Sequence, residues 1–247
     1  MERARLTRYG LLSVTGADAR AFLHAQLTAD IQHLPRDRAA FAGWCSAKGR
    51  LLASLLVVPH EEGFLLQLAR DLAPAVAKRL SMFVLRSKVA IADVSGAWQQ
   101  LGAWGEHFPG ELFTIETEGN LVQIKFDERR ALLVGLEGEL RHMEAKRGEE
   151  DWIVEEIRAG RPFISAATQD QFVPQMVNLE KLGGVDFQKG CYPGQEIVAR
   201  AQYRGEVKRR MVRLPAPEGA KLQPGQDFNG GVVVDSAGGE VLAVVPV

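Results

Sequence analysis

Short apolar runs alternate with polar, Gly- or Pro-marked breaks, and the spacing within each run sets the element it predicts. Residues 11–14 read as a strand. Thr15-Gly-Ala-Asp18 then matches a Ser/Thr-x-x-Asp/Glu helix start with Thr15 as N-cap. Ala19, Phe22, Leu23 and Leu27 follow at helical spacing and predict an amphipathic helix to about Asp30. Apolar segments 39–45 and 51–58 flank Ser46-Ala-Lys-Gly49, where Gly49 suits the positive-φ position of a hairpin connection. A turn at Glu61-Glu-Gly63 leads to a strand over 64–68. Asp71 is placed to cap a helix to about Leu85, with Leu72, Ala75, Val76, Leu80 and Phe83 inward, and a strand over 89–94 follows.

The middle of the chain repeats this texture with weaker signals. Strands are predicted over 98–104, 121–126 and 131–136, then helix over 137–160 with Trp152, Ile153, Glu156 and Ile157 on one face. Residues 161–193 are irregular and rich in Pro and Gly, which in a compact domain marks a functional or closely packed segment. A helix starts near Gly194, and strands over 207–214, 232–235 and 241–245 form a small β module at 208–247. Strands interrupted by single helices, with hairpins between them, predict an α+β fold of ferredoxin-like units rather than a doubly wound sheet.

Composition narrows the classes. The chain has 247 residues, with 30 Lys+Arg against 31 Asp+Glu, five His and two Cys. That length supports one large core, or a main domain with a small one appended. A net charge of −1 excludes a wholesale nucleic-acid coat protein, so any basic surface is local. Two cysteines exclude a disulfide framework and a self-contained four-thiolate metal site. The basic start MERARLTRYG leads into no apolar signal region, and the longest apolar run, 51–58, is far below the roughly 20 residues that span a bilayer. The expectation is a reduced cytoplasmic protein without membrane contact. The nucleotide-binding glycine motifs, the serine-hydrolase elbow and the zinc-protease motif are all missing, and His24, His33, His60, His107 and His142 lack metal-ligand spacing, so no metal site is expected.

The densest unusual segment runs from Gly183 to Arg200: Gly-Gly-Val-Asp-Phe-Gln-Lys-Gly-Cys-Tyr-Pro-Gly-Gln-Glu-Ile-Val-Ala-Arg. Cys191 sits just before a predicted helix start, where backbone N–H groups, the positive helix end and an inward-pointing Lys189 would favour a thiolate. Glu196 lies in the first turn and can accept hydrogen bonds from a ligand. A Gly-rich turn around a merely packed Cys is the bland alternative.

Lys189-Gly-Cys-Tyr-Pro-Gly-Gln-Glu-Ile-Val-Ala-Arg200 resembles the signature of the YgfZ family of folate-binding proteins, relatives of the glycine-cleavage T-protein, an aminomethyltransferase. The likeness extends along the chain. Thr15-Gly-Ala-Asp18 with Gln26-Leu-Thr-Ala-Asp30, Ala47-Lys-Gly-Arg50, Leu85-Arg-Ser-Lys-Val89, Glu156-Ile-Arg-Ala-Gly-Arg-Pro162 and Phe172-Val-Pro-Gln-Met-Val-Asn-Leu179 match in order. The resemblance implies two ferredoxin-like modules of the T-protein-like folate-binding fold over 1–207, divided roughly at 95/96, with a small C-terminal β-barrel module over 208–247.

It also implies tetrahydrofolate, or a one-carbon derivative, as cofactor. A folate has a flat pterin, a p-aminobenzoyl linker and an anionic glutamate tail, so its site needs aromatic walls, placed polar groups and cations. The family's two aromatic folate positions correspond to Tyr9, where a Trp can stand, and Trp152. Gln175, Asn178 and Glu196 are polar candidates. Arg200 is placed for the anionic tail or for an i,i+4 pair with Glu196. Within the signature, Lys189, Gly190, Tyr192, Gly194 and Gln195 surround Cys191, the functional thiol. The signature implies an accessory role toward iron–sulfur enzymes or their assembly machinery, including enzymes that modify tRNA. Two alternatives stand beside it. An aminomethyltransferase needs a carboxylate near the pterin, for which Asp30 or Asp186 is available. A direct RNA binder would use Arg200, Arg204, Lys208, Arg209, Arg210 and Arg213, set against Glu206 alone, with Tyr203 interleaved.

Overall fold

The computed structural model describes residues 1–105, 107–205 and 207–247. In chain order the elements are β1 (Glu2–Arg5), β2 (Tyr9–Thr15), α1 (Ala19–Gln26), β3 (Ala40–Cys45), β4 (Leu51–His60), β5 (Gly63–Ala69) and α2 (Ala73–Ser81). Then come β6 (Ala90–Asp93), β7 (Trp98–Trp104), β8 (Ile115–Glu118), β9 (Leu121–Lys125), β10 (Arg130–Leu136), α3 (Glu137–Leu140) and α4 (Glu149–Arg158). Two 3₁₀ turns, Pro174–Val177 and Leu179–Leu182, precede α5 (Gln195–Tyr203), β11 (Arg209–Pro215), β12 (Asp227–Phe228), β13 (Gly231–Ala237) and β14 (Glu240–Pro246). This is a mixed α/β chain with several antiparallel sheets. Among the described residues no helix is long and apolar enough to cross a membrane.

The chain divides into two compact units, each gathered from separate stretches: 1–19, 34–40 and 56–152 in the first, and 20–33, 41–55 and 153–247 in the second. The first unit holds the sheet β1-β7-β10-β9-β8 and, in order, the second half of β4 with β5, β2 and β6. Strand alternation places Leu101 and Ala103 of β7 in a core with Phe108, Ala131, Leu133 and Leu140. Gly102 between them faces the other way, against Trp152. Every residue of β5 is buried. Its one polar member, Gln67, is satisfied by donating to the side-chain oxygen of Gln100 on β7 at 2.6 Å.

The second unit pairs β3 with the first half of β4 and carries the last sheet, ordered β11-β14-β13-β12. Leu222, Val233, Val241 and Ala243 form its core, and an irregularity between Val233 and Asp235 bends β13.

Several elements depart from the pattern-based expectation. Helix α1 stops at Gln26 rather than near Asp30. Leu27 bridges to Trp44, and the Thr28 hydroxyl accepts the Gly43 N–H at 2.7 Å, so the chain turns strand-like at that point. Helix α2 begins after Leu72 without a side-chain cap and ends at Ser81, so Asp71 does not cap it. The predicted helix over 137–160 is two helices, α3 and α4. Between them the Arg147 N–H donates to the Arg3 carbonyl at 2.9 Å, and the Glu149 carboxylate accepts the Thr7 hydroxyl and the Arg8 N–H, which ties this segment to the start of the chain. Strands β1 and β8 were not expected from the pattern. Both are sheet edges with a single fully buried position, so the apolar alternation that marks a strand is missing.

Candidate functional site

The signature loop is built by the second unit. Lys189 is half-buried, and its ammonium donates to the carbonyls of His24 and Leu27 at the C-terminal end of α1, the latter at 2.5 Å. Burial pushes Lys189 down to about 8, and Asp30 and Asp186 offset part of that. The same ammonium lies 5.0 Å from the centre of the Tyr192 ring. Burial drives the Tyr192 phenol well up, and burial, with a smaller contribution from Asp170, raises Cys45 to about 12. Gly194, at φ 79°, is the N-cap of α5. A Cβ there would lie 2.4 Å from the Ser46 carbonyl oxygen and 2.6 Å from Gly49, so only Gly lets α5 start against the hairpin turn. Gln195 closes the loop by donating to the Lys189 carbonyl at 3.5 Å. Between these anchors Cys191 is exposed, whereas Cys45 is buried in β3. The loop therefore presents one thiol to solvent on a backbone fixed at both ends, with the Lys189 ammonium committed to α1.

The other second-unit candidates are tied into their own framework. Gln175 is fully buried and donates to the Val198 carbonyl of α5 at 2.7 Å. Asn178, in the left-handed region at φ 57°, donates to the Met211 carbonyl at 2.8 Å and accepts from Arg210 at 3.1 Å. Arg210 also holds the Gln175 carbonyl and the Glu180 carboxylate. Glu196 and Arg200 are exposed on α5 and form no ion pair with each other among the described residues. Within the basic stripe, Arg210 is committed to Glu180 and Arg213 lies 3.5 Å from Glu240. Arg200, Arg204, Lys208 and Arg209 have no carboxylate partner among the described residues, and Glu206 lies outside them.

Both alternative carboxylates are occupied. Asp30 accepts from His33 at 2.7 Å and faces His24 at 3.1 Å; burial pushes its pKa up, but the His33 hydrogen bonds outweigh that and leave it lowered. Asp186 accepts the N–H groups of Gln188 and Lys189 at 2.7 and 3.1 Å. No group of three or more His, Cys, Asp or Glu among the described residues is arranged to hold a metal ion.

Tyr9 and Trp152 belong to the first unit. Trp152 is 1% exposed. The ring centres of Trp104 and Phe126 lie 5.7 and 5.2 Å from its own and the Arg130 guanidinium carbon 5.0 Å, while the Gly102 backbone lies against its six-membered ring. Tyr9 lines a cavity of about 240 Å³ that β1, β7 and the segment around Arg70 and Ser95 complete. Its walls include Arg5, Arg70, Ser95, Trp98, Gln100 and Glu137. Arg5 donates to the Gln99 side chain and Arg70 to the Ser95 carbonyl at 3.4 Å. Neither guanidinium has a carboxylate partner among the described residues. Tyr9 and Trp98 supply aromatic walls, and the two arginines supply positive charge at the same cavity. Arg5, Arg70, Trp98 and Gln100 escaped the sequence reading. The available signal, for Gln100 alone, was a Gln within each of two predicted strands, Gln67 and Gln100, since a buried amide needs a partner.

The fold places the chain in a structural class. Superposed on the crystal structure of glycine cleavage system aminomethyltransferase T from Bartonella henselae, it gives a TM-score of 0.75 over 99% of this chain and 78% of that one, at 14% identity. No family model matches the chain. It is 33% identical over 243 residues to the tRNA-modifying protein YgfZ of Shigella sonnei strain Ss046, covering 90% of this chain and 74% of that protein. The figures are the same for the protein of that name from Escherichia coli O7:K1, and the identity is 31% for that of Cronobacter sakazakii. The chain belongs to the YgfZ family.

Proposed function

We propose that this chain binds a reduced folate and acts as an accessory factor for iron–sulfur enzymes, including those that modify tRNA, with Cys191 as its functional thiol. The observation that carries the folate part is the first-unit cavity: two aromatic walls beside two guanidiniums that lack carboxylate partners. A volume of about 240 Å³ suits one end of a folate, and aromatic walls with paired cations match the p-aminobenzoyl-glutamate end. In this reading Arg5 and Arg70 take the tail carboxylates, and Tyr9 and Trp98 flank the benzoyl ring. Trp152 packs on β7 at Gly102, on the strand face that alternation also gives to Trp98 and Gln100, and direct contact with folate requires one of its edges to open. The two ferredoxin-like modules of the T-protein fold are the frame for this site in the same reading.

The tRNA link comes from the name of the relatives. The iron–sulfur role rests on the signature and on the exposed, braced thiol, which would share any cluster with a partner. An aminomethyltransferase is the weaker reading, because Asp30 and Asp186 are already held by His33 and by backbone N–H groups. Direct tRNA recognition is weaker too, since Arg210 and Arg213 are drawn to Glu180 and Glu240.

Titration of the purified chain with tetrahydrofolate, followed by Trp fluorescence, tests the folate reading: saturable binding that weakens at least tenfold in Tyr9→Leu is expected, and equal affinity contradicts it. Cys191→Ser should lower the activity of particular iron–sulfur enzymes in cells while leaving folate affinity unchanged. Undiminished activity removes the role given to the thiol.

A further inference from the structure

Helix α2 ends at Ser81, and the next residues form an apolar knob. Met82 is 70% exposed, Phe83 44% and Leu85 88%. Three of the eight exposed large hydrophobic side chains among the described residues thus fall within four consecutive positions, and the other five are scattered along the chain. Scattered apolar side chains on a surface need no explanation, whereas a contiguous patch does.

The knob is fixed on both sides. The Phe83 N–H donates to the Leu80 carbonyl at 2.9 Å and the Ser87 N–H to the Val84 carbonyl at 2.8 Å. The Lys88 N–H is held by the Asp18 carboxylate at 2.7 Å, and the Lys88 carbonyl packs where a Cβ on Gly16 would stand. Leu85 itself sits at φ 47°, a conformation that disfavours a leucine, so the fold holds an apolar side chain in water at a cost in backbone strain. Lys78, Arg79, Arg86 and Lys88 lie within seven residues of it along the chain and residues 72–92 contain no acid, so the Asp18 carboxylate on the Lys88 N–H stands against four cations. Lys78, Arg86 and Lys88 have no side-chain carboxylate partner among the described residues.

We infer that the knob at 82–85 with its cationic collar is a docking surface for a protein partner that presents an apolar pocket rimmed by Asp and Glu. Charge complementarity selects this occupant. A second copy would set the same cations against each other, which is unfavourable. A bilayer needs no side chain held at a strained angle, whereas a shaped pocket gains from a pre-organised anchor. A base-stacking RNA surface would need more than the single aromatic Phe83.

The test uses the full chain carrying a photo-cross-linking phenylalanine at position 85 and, as control, at the exposed Leu112, irradiated in the cells that make it. The expected result is one discrete protein adduct at 85 and not at 112, joined through an acidic peptide and lost when Lys78→Glu and Arg86→Glu are added. The identified partner, purified, should bind the unmodified chain at least tenfold more tightly than Leu85→Ala, whose circular dichroism should match the parent. No adduct, an adduct to a second copy or to a non-acidic peptide, or affinity unchanged by Leu85→Ala overturns the inference. So does binding to phosphatidylserine vesicles or total tRNA that Leu85→Ala abolishes.

Discussion

Gly102→Ala puts a single methyl group where the ring of Trp152 now lies. An ideal Cβ on Gly102 stands 2.3 Å from Cε3, 2.8 Å from Cδ2 and 2.9 Å from Cζ3 of that ring. Ordinary carbon contacts begin near 3.5 Å, so the ring must retreat by roughly 1 Å. Its other sides are occupied by Trp104, Phe126 and the Arg130 guanidinium, each within 6 Å of the ring. Overpacking of this kind costs about 1–3 kcal/mol, and the gain of about 0.5–1 kcal/mol from replacing a strand Gly offsets only part of it. Trp152→Leu alone leaves a cavity and should cost about 2–4 kcal/mol. In the double variant the added methyl group fills part of that cavity, so the two effects should fall short of their sum by about 1–2 kcal/mol. Urea unfolding followed by far-ultraviolet circular dichroism reads all four proteins without depending on Trp emission. Additive costs, or a Gly102→Ala protein as stable as the parent, would refute the packing of Trp152 on β7.

Two further outcomes follow from the signature loop. Gly194→Ala meets the Ser46 carbonyl at 2.4 Å and has to adopt φ 79°, so it should destabilise the second unit by about 2–3 kcal/mol, whereas Gly183→Ala, also at positive φ but with open space, should cost only about 1 kcal/mol; equal urea midpoints would contradict the account of the loop. Lys189 titrates near 8 when folded against an ordinary 10.5, so between those values the unfolded chain holds a proton that the folded chain has released. Lys189 therefore contributes a rise in stability with pH across that window, opposed above about 9 by the raised Cys45 thiol and then by the Tyr192 phenol, so Lys189→Met should gain less, or lose more, between pH 8 and 10.5 than the parent; parallel pH profiles from denaturant midpoints would show that Lys189 is not desolvated.

The start of α5 was legible because its determinants are local: Gly194 and Gln195 are adjacent, and the Gly is required by contact with a turn that the sequence also marks, at Gly49. The commitment of Lys189 to the His24 and Leu27 carbonyls, rather than to the thiol of Cys191, was out of reach because those carbonyls lie over 160 residues away in sequence. Strand β7 was legible only as a short stretch rich in apolar residues, because Gln99, Gln100 and Gly102 interrupt the alternation over Trp98–Trp104. The first-unit cavity was legible only at Tyr9. Its arginines come from β1, an edge strand that reads as a polar segment, and from the end of β5, and nothing local brings Arg5 and Arg70 to one cavity. The roles of Gln175 and Asn178 were also out of reach, because both depend on carbonyls that lie over 20 residues away in sequence. The early end of α2 was hidden because Phe83 continues the apolar spacing of Val76 and Leu80 while standing in solvent.

The central claim is that the first-unit cavity holds the anionic end of a folate, and calorimetric titration with paired ligands tests it most directly. Tetrahydrofolate and a tetrahydropterin lacking the p-aminobenzoyl-glutamate are each titrated into the parent chain, Arg70→Ala and Arg5→Ala. A charge-assisted contact of about 1.5–3 kcal/mol corresponds to a loss of roughly 10- to 100-fold, so each arginine variant should bind tetrahydrofolate that much more weakly and the tetrahydropterin unchanged. Equal affinity of all three proteins for tetrahydrofolate would contradict the claim.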